Sequence, residues 1–454
     1  MGASEDYRDL AEAAWAWVLG RVRDDDGPWL PISVGVNEPA GPPDPTPSKE
    51  RDCLYDGIAG LAPVLAEIAL HRGLSPAEAE LADGVVARLS RLAETATESG
   101  LYEGLAGHVA ALRMLAPGTE TGSLARIAEL QTPDGWPTTT DPSGVPLTDV
   151  IGGSAGIVMT AVWCGGELSD RIATSGGEAL LAAADRTPAG LDWGMVPGSP
   201  SRGPNFSHGT AGVSAALAVA GTALDRADFV AAAVLGAQHL LDVGSLDDGG
   251  FVVPHTIPPA RRVVEPLTYT WCHGPAGTSQ LFVALTRAGV EEVGGLTVED
   301  LRERCLHSVL TSGVPQRLRP GFWDNDGRCC GTAGVGDVLL DAAQDDDDPA
   351  RAGRWLAGAV TMAEALVERA VRDGDRAYWR FVEYRDDPPL LAPGTSWMQG
   401  AAGIAAYLFR IARVLDVGLT APVVDRPDEW WAVPTALRTV GTGRPVLDGT
   451  GAKR

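Results

Sequence analysis

Seven times along the chain a turn of the form G-x-A-G opens an apolar, alanine-rich stretch. With the residue that precedes it, each copy reads DGIAG (56–60), EGLAG (103–107), GGSAG (152–156), HGTAG (208–212), HGPAG (273–277), CGTAG (330–334) or QGAAG (399–403). The stretches that follow, such as AGVSAALAVAGTAL and AGIAAYLFRIARVL, carry apolar residues at helical spacing. A second, more polar helical stretch comes next, for example AEAELADGVVARLSRLAE, and then a polar or Gly/Pro-rich loop. Copies lie 47 to 69 residues apart, enough for two helices and a variable loop. Such a unit cannot bury its apolar face alone and stacks on its neighbours. The small residues are expected where several helix starts crowd together, with glycine supplying an unusual φ and close backbone approach. The expected fold is all-α: an α/α toroid, a ring of inner helices inside a ring of outer ones, with the residue before each turn near the central cavity. Residues 51–419 form the toroid, 1–50 an N-terminal helix and Pro-rich lead-in packed on it, and 420–454 a Pro/Gly-rich tail with frayed ends.

Composition narrows the function. The net charge is −24, which argues against nucleic acid, because a phosphate backbone demands a basic surface. No run of eighteen apolar residues is present, so no transmembrane segment is expected. The start, MGASEDYRDLAEAAWAWVLG, lacks the basic region and cleavage site of a secretory signal, and the expected location is cytoplasmic.

Six cysteines in 454 residues do not make a disulfide scaffold. Cys53, Cys164 and Cys305 stand in apolar or helical contexts and read as small core residues. The other three are Cys272, beside His273, and the adjacent pair Cys329 and Cys330. A vicinal pair is an accident of composition, a rare vicinal disulfide or a pair of metal ligands. The repeat favours ligands, because it brings Cys272 to a point of the ring equivalent to the 329/330 pair. Zinc prefers thiolate and imidazole, and catalytic zinc keeps one position open beyond three protein ligands. The residues before the turns are Asp56, Glu103, Gly152, His208, His273, Cys330 and Gln399, and all but Gly152 and Gln399 belong to acid–base or metal chemistry. Asp149 lies three residues before Gly152.

The turns TDVIGGSAG (148–156), NFSHGTAG (205–212), WCHGPAG (271–277) and CCGTAG (329–334) resemble, in order, those of the lanthionine synthetase C-like family, the lanthipeptide cyclases. The resemblance runs from about Asp52 to Leu415. It implies a toroid with a catalytic Zn2+ and an enzyme that adds peptide cysteine thiols to dehydroalanine or dehydrobutyrine, forming (methyl)lanthionine thioether rings. Cys272 and Cys329 match two zinc-binding cysteines of the family, and Cys330 stands where many members have histidine. His208 matches the active-site histidine and Asp149 an acidic residue near it. Thr268 replaces an arginine and His273 a tyrosine found in some members.

The implied substrate is a dehydrated precursor peptide. No kinase or lyase domain is legible before the toroid, so separate dehydratase proteins are expected as partners. On this reading His208 protonates the enolate left by thiol addition, with His273 as second candidate for the same work and Asp149 orienting His208. The simpler reading of Asp149 is a helix cap. A peptide-binding scaffold without catalysis, an enzyme of the same fold that adds glutathione, and an α/α-toroid glycosidase using Asp56 and Glu103 as a carboxylate pair, which leaves the cysteines unexplained, are the alternatives. Trp193, Trp271, Trp323 and Trp397 either line a peptide groove or pack beneath the loops.

Overall fold

In a computed structural model, which describes residues 2–33, 50–138, 144–259, 265–316, 325–382, 390–440 and 444–445, every G-x-A-G turn leads into a helix. The described α-helices are α1 (Ala3–Leu19), α2 (Leu61–His71), α3 (Pro76–Leu92), α4 (Leu105–Leu115), α5 (Thr121–Leu130), α6 (Ser154–Cys164), α7 (Glu167–Ala182), α8 (Thr210–Ala223), α9 (Ala227–Val243), α10 (Pro275–Arg287), α11 (Val298–Thr311), α12 (Thr332–Asp345), α13 (Pro349–Arg369) and α14 (Ala401–Val417). Described strands are two or three residues long and paired locally, so the fold is mostly helical. Among the described residues no helix is long and apolar enough to cross a membrane.

Two kinds of helix alternate. Those that follow the turns are buried all round: in α8 every residue from Thr210 to Gly221, and in α14 every residue from Ala401 to Val414. Their partners bury one stripe, as α13 does with Ala352, Trp355, Ala359, Met362, Ala363 and Leu366. The turn helices pack in sequence, α2 on α4, then α6, α8, α10, α12 and α14, and α14 packs back on α2. Six one-sided helices follow their buried partners in the chain. The seventh, lying along α14, is α1 from the N-terminus, with Tyr7, Leu10, Ala11, Ala14, Trp15 and Val18 turned inward.

Backbone hydrogen bonds join the turns in the same order. Tyr55 N–H donates to Tyr102, Tyr102 to Ile151, Val150 to Ser207, Ser207 to Cys272, Cys272 to Cys329, Cys329 to Met398 and Met398 to Tyr55, at 2.9–3.2 Å. This circuit is what lets residues hundreds of positions apart share one site.

The glycines serve close approach rather than an unusual φ. The first glycine of each turn has negative φ, from −100° at Gly57 to −172° at Gly209. The first-turn N–H groups of the buried helices, which have no side-chain cap, are met by carbonyls of the preceding loop: Leu105 and Ala106 donate to Glu98 and Ser99, and Ala401 and Ala402 to Gly394 and Thr395. That loop runs so close that a Cβ on Gly209 would lie 1.5 Å from the Gly203 carbonyl oxygen. In every turn but that of Gly334, the last glycine receives a side chain from the copy before it. A Cβ on Gly156 would meet Leu101 Cβ at 2.7 Å, one on Gly277 would meet Phe206 Cβ at 2.7 Å, and one on Gly60 would meet Trp397 Cβ of the seventh copy at 2.7 Å.

The C-terminal segment, expected to fray, carries a buried stretch: Val423, Val424, Asp425, Arg426, Asp428, Glu429, Trp431, Ala432 and Val433 are all buried. It joins an ion network sealed inside the protein. Asp337 accepts from Arg328, from Arg410 at 2.8 Å and from Arg426 at 3.2 Å; Arg410 also reaches Asp341 at 2.6 Å, and Arg328 reaches Glu429 at 2.9 Å. Tyr102 donates to Asp428 at 2.7 Å and Trp163 to Asp425 at 2.9 Å. Buried charges in this number persist only when each is paired. Their arrangement ties Arg328, the residue before Cys329, to the far end of the chain.

Candidate metal centre

Three buried thiols meet: the Sγ atoms of Cys272, Cys329 and Cys330 lie within 4.8 Å of one another, a group able to hold a metal ion. Cys272 and Cys330 sulfurs are 3.3 Å apart, and Cys330 and Cys329 sulfurs 3.4 Å. All six cysteines are free, so the vicinal pair is no disulfide. The juxtaposition follows from the circuit, in which Cys272 N–H donates to the Cys329 carbonyl at 3.2 Å. Burial pushes the Cys272 thiol well up; hydrogen bonds with Cys272 and Cys330, together with burial, do the same at Cys329. A metal ion binding there must displace protons, so its affinity rises with pH. Cys53 and Cys305 are core residues, as expected; burial pushes Cys53, and the half-buried Cys164, up to about 12, which leaves them inert.

His208 belongs to the next copy round. Its neighbour Ser207 donates both N–H and hydroxyl to the Cys272 carbonyl at 3.0 Å. Its Nδ1–H donates to Asp149 Oδ2 at 2.8 Å, and the side chain is 34 % exposed while that of Asp149 is fully buried. Asp149 Oδ1 accepts the Gly152 N–H at 3.2 Å, closing the turn without capping α6, while Oδ2 holds the imidazole. Burial lowers the His208 pKa, but the hydrogen bond and charge of Asp149, helped by Cys330 and Glu103, raise it further, and the net shift is upward. The Asp149 bond fixes the tautomer and leaves Nε2 as the nitrogen turned to other work. Asn205 completes the support: its Oδ1 accepts the His208 N–H at 3.0 Å and its Nδ2 donates to the His255 carbonyl at 3.2 Å.

His273 lies beside His208, ring centroids 5.4 Å apart, and stacks on His255 at 4.0 Å and 20°. His255 has no turn of its own and reads from sequence as an ordinary surface or core residue; the loop before α10 carries it to the site. Tyr55 and Gln399, which carry no acid–base or ligand signature in the sequence, also reach the site. Gln399 Nε2 donates to Tyr55 Oη at 2.8 Å and to Cys330 Sγ at 3.5 Å, and burial together with the neighbouring Cys329 and Cys330 pushes the Tyr55 hydroxyl well up. A signal for Tyr55 existed: it holds the same register before its turn as Cys272 and Cys329. Asp56, before the first turn, is pushed up to about 6 by burial, against a hydrogen bond from Ser396. Trp193, Trp271 and Trp397 are buried packing residues, with the Arg328 guanidinium 4.7 Å above the Trp397 ring. Trp323 lies outside the described residues.

A family model described as lanthionine synthetase C-like protein matches residues 48–414. Among solved structures, nisin cyclase is similar over 80 % of this chain and 89 % of its own, with 14 % identity and a TM-score of 0.53, a likeness of fold. The unsaturated glucuronyl hydrolase of Bacillus sp. GL1 overlaps 94 % of this chain and 98 % of its own, with 13 % identity and a TM-score of 0.46. No curated protein sequence matches the chain.

Proposed function

The chain belongs to the lanthionine synthetase C-like protein family, and on that footing we propose that it is a zinc-dependent lanthipeptide cyclase built as an α/α toroid. It adds cysteine thiols of a dehydrated precursor peptide to dehydroalanine or dehydrobutyrine, in the cytoplasm, after separate dehydratase proteins have acted. The observation that carries this reading is the convergence of three buried thiols from two turns beside a histidine oriented by a buried carboxylate.

The donor set fits zinc, since three thiolates are soft ligands from rigid turns and leave a fourth position for a substrate. Cys272, Cys329 and Cys330 would hold the ion, and when bound it supplies a Lewis acid that lowers the pKa of an incoming peptide thiol. In the overall reaction a C–S bond forms at the alkene β-carbon, the π electrons move toward the neighbouring carbonyl, and a proton is delivered to the α-carbon. His208 gives that proton from Nε2. Asp149 holds Nδ1–H, so the imidazolium is stabilised before transfer and the ring stays aligned after it. His273, stacked on His255 and adjacent to His208, assists the same proton or binds the enolate oxygen.

Cyclisation leaves mass unchanged, so the test counts alkylatable thiols in a dehydrated peptide before and after incubation with the zinc-loaded protein. Thiols are expected to disappear with wild type and to persist with Cys272→Ala. Peptide binding without thiol loss would replace the cyclase with a scaffold, and a glutathione adduct in preference to a ring would replace it with the glutathione-adding alternative.

A further inference from the structure

The three sulfurs are not alone in their pocket. Thr270 Oγ1 lies 3.5 Å from Cys272 Sγ, the Tyr55 hydroxyl accepts from Gln399 Nε2 at 2.8 Å, and the same Nε2 lies 3.5 Å from Cys330 Sγ. Polar groups therefore reach the Cys272 and Cys330 sulfurs directly, and the Tyr55 hydroxyl is held beside them by the Gln399 amide. They come from the fifth, first and seventh copies of the repeat, so no local motif unites them. Gln399 is placed by its neighbours: Asn325 Nδ2 donates to its Oε1 at 3.5 Å, and Asn325 Oδ1 is itself tied to the Gly327 N–H at 2.8 Å. With its oxygen so engaged, the Gln399 amide presents one N–H to Tyr55 Oη and the other to Cys330. Tyr55, accepting from Gln399, is left to donate its own proton toward Cys329.

The charge at the centre makes these donors necessary. Three thiolates around a divalent cation carry one net negative charge, and a fourth thiolate from a peptide makes it two. A ligand set containing histidine would carry less. With Cys330 as the third ligand the extra charge falls on that sulfur, and the sulfur receives the Gln399 amide.

We propose that Tyr55, Gln399 and Thr270 form a hydrogen-bonding shell built for an all-thiolate metal site, with the Asn325–Gln399–Tyr55 chain as positioning residues that make Cys330 an effective third ligand. The inference rests on the cyclase reading in one respect, that the cluster takes a divalent ion. Outer donors of this kind typically change metal affinity by roughly 10-fold to 100-fold. Because a hydrogen bond lowers the energy of a sulfur lone pair, its loss moves the sulfur-to-metal charge-transfer band to lower energy.

The experiment uses the full chain loaded with cobalt(II), read by its near-ultraviolet charge-transfer band, and zinc affinity by competition with a chromophoric chelator. Tyr55→Phe keeps the ring and removes one donor, and Gln399→Leu keeps the bulk and removes two. Each is expected to weaken zinc by roughly tenfold or more and to red-shift the cobalt band, while the melting of the metal-free protein stays at the wild-type value. A Tyr55→Phe protein with wild-type affinity and an unshifted band overturns the proposal, whatever Gln399→Leu does to folding. A wild-type chain that takes up no zinc or cobalt is a separate outcome: it overturns the cyclase reading and this inference with it.

Discussion

Replacing Asp149 with asparagine separates orientation of His208, the proposed general acid, from everything else in the site. Both carboxylate oxygens are in use, Oδ1 by the Gly152 N–H at 3.2 Å and Oδ2 by His208 Nδ1–H at 2.8 Å. An asparagine has one acceptor. If its oxygen keeps the turn, its NH2 faces Nδ1, and two donors cannot share that hydrogen bond, so the imidazole moves its proton to Nε2 and stays neutral. The group that raises the His208 pKa against burial is then gone, and the pKa falls. A correctly placed general acid is worth about 10²–10⁴ in rate, or roughly 3–5 kcal/mol of barrier, and most of this is expected to be lost. The turn survives, so zinc content and melting temperature are expected to remain near wild type. The assay is single-turnover thiol consumption in a dehydrated peptide between pH 6 and 9, with metal content measured on the same samples. Activity within about threefold of wild type across that range would refute the role of His208 as an acid held by Asp149.

Three further outcomes follow from the fold. Asp337→Asn leaves Arg328, Arg410 and Arg426 short of a buried partner and is expected to cost about 3–5 kcal/mol in urea unfolding; the three guanidiniums hold this carboxyl well below the usual range despite its burial, so its stabilisation is complete above the unfolded pKa near 4, and the loss should be the same at pH 5.5 and 8. Gly277→Ala would place a Cβ 1.9 Å from the Trp271 carbonyl oxygen and is expected to abolish soluble expression, whereas Gly353→Ala, with nothing within 4 Å, should stabilise α13 by roughly 0.5–1 kcal/mol. Glu78, which caps α3 and receives Arg72 and Trp15, is brought down to about 2 by these bonds against its burial; its contribution is complete above the unfolded pKa near 4.5 and is lost as pH falls through about 2, so Glu78→Gln should lower the melting temperature most at pH 7 and progressively less between pH 4.5 and 2.

Much of this was legible because the strongest constraints are local and recur. A glycine whose Cβ would collide with a carbonyl cannot be replaced quietly, so the turn is written seven times, and the cysteines stand out because they sit on it. His208 and Asp149 fall in register with the same turns. The rest was hidden for physical reasons. The pairing of α1 with α14 joins the two ends of the chain, and no local pattern records it. The buried C-terminal stretch looks like a polar, proline-rich tail because its charges find their partners in three other segments. Gln399 occupies the right register but is neither acid, base nor ligand, and its importance appears only when the amide is seen between Tyr55 and Cys330. His255 reaches the site along a loop whose course composition does not specify.

The most direct measurement is zinc-edge X-ray absorption on the purified chain, wild type and Cys330→Ala. One zinc per chain with three sulfur neighbours at about 2.3 Å, reduced to two in the variant and raised to four when a thiol-bearing dehydrated peptide is added, is the predicted result. A chain without zinc, or a sulfur count that Cys330→Ala leaves unchanged, would contradict it.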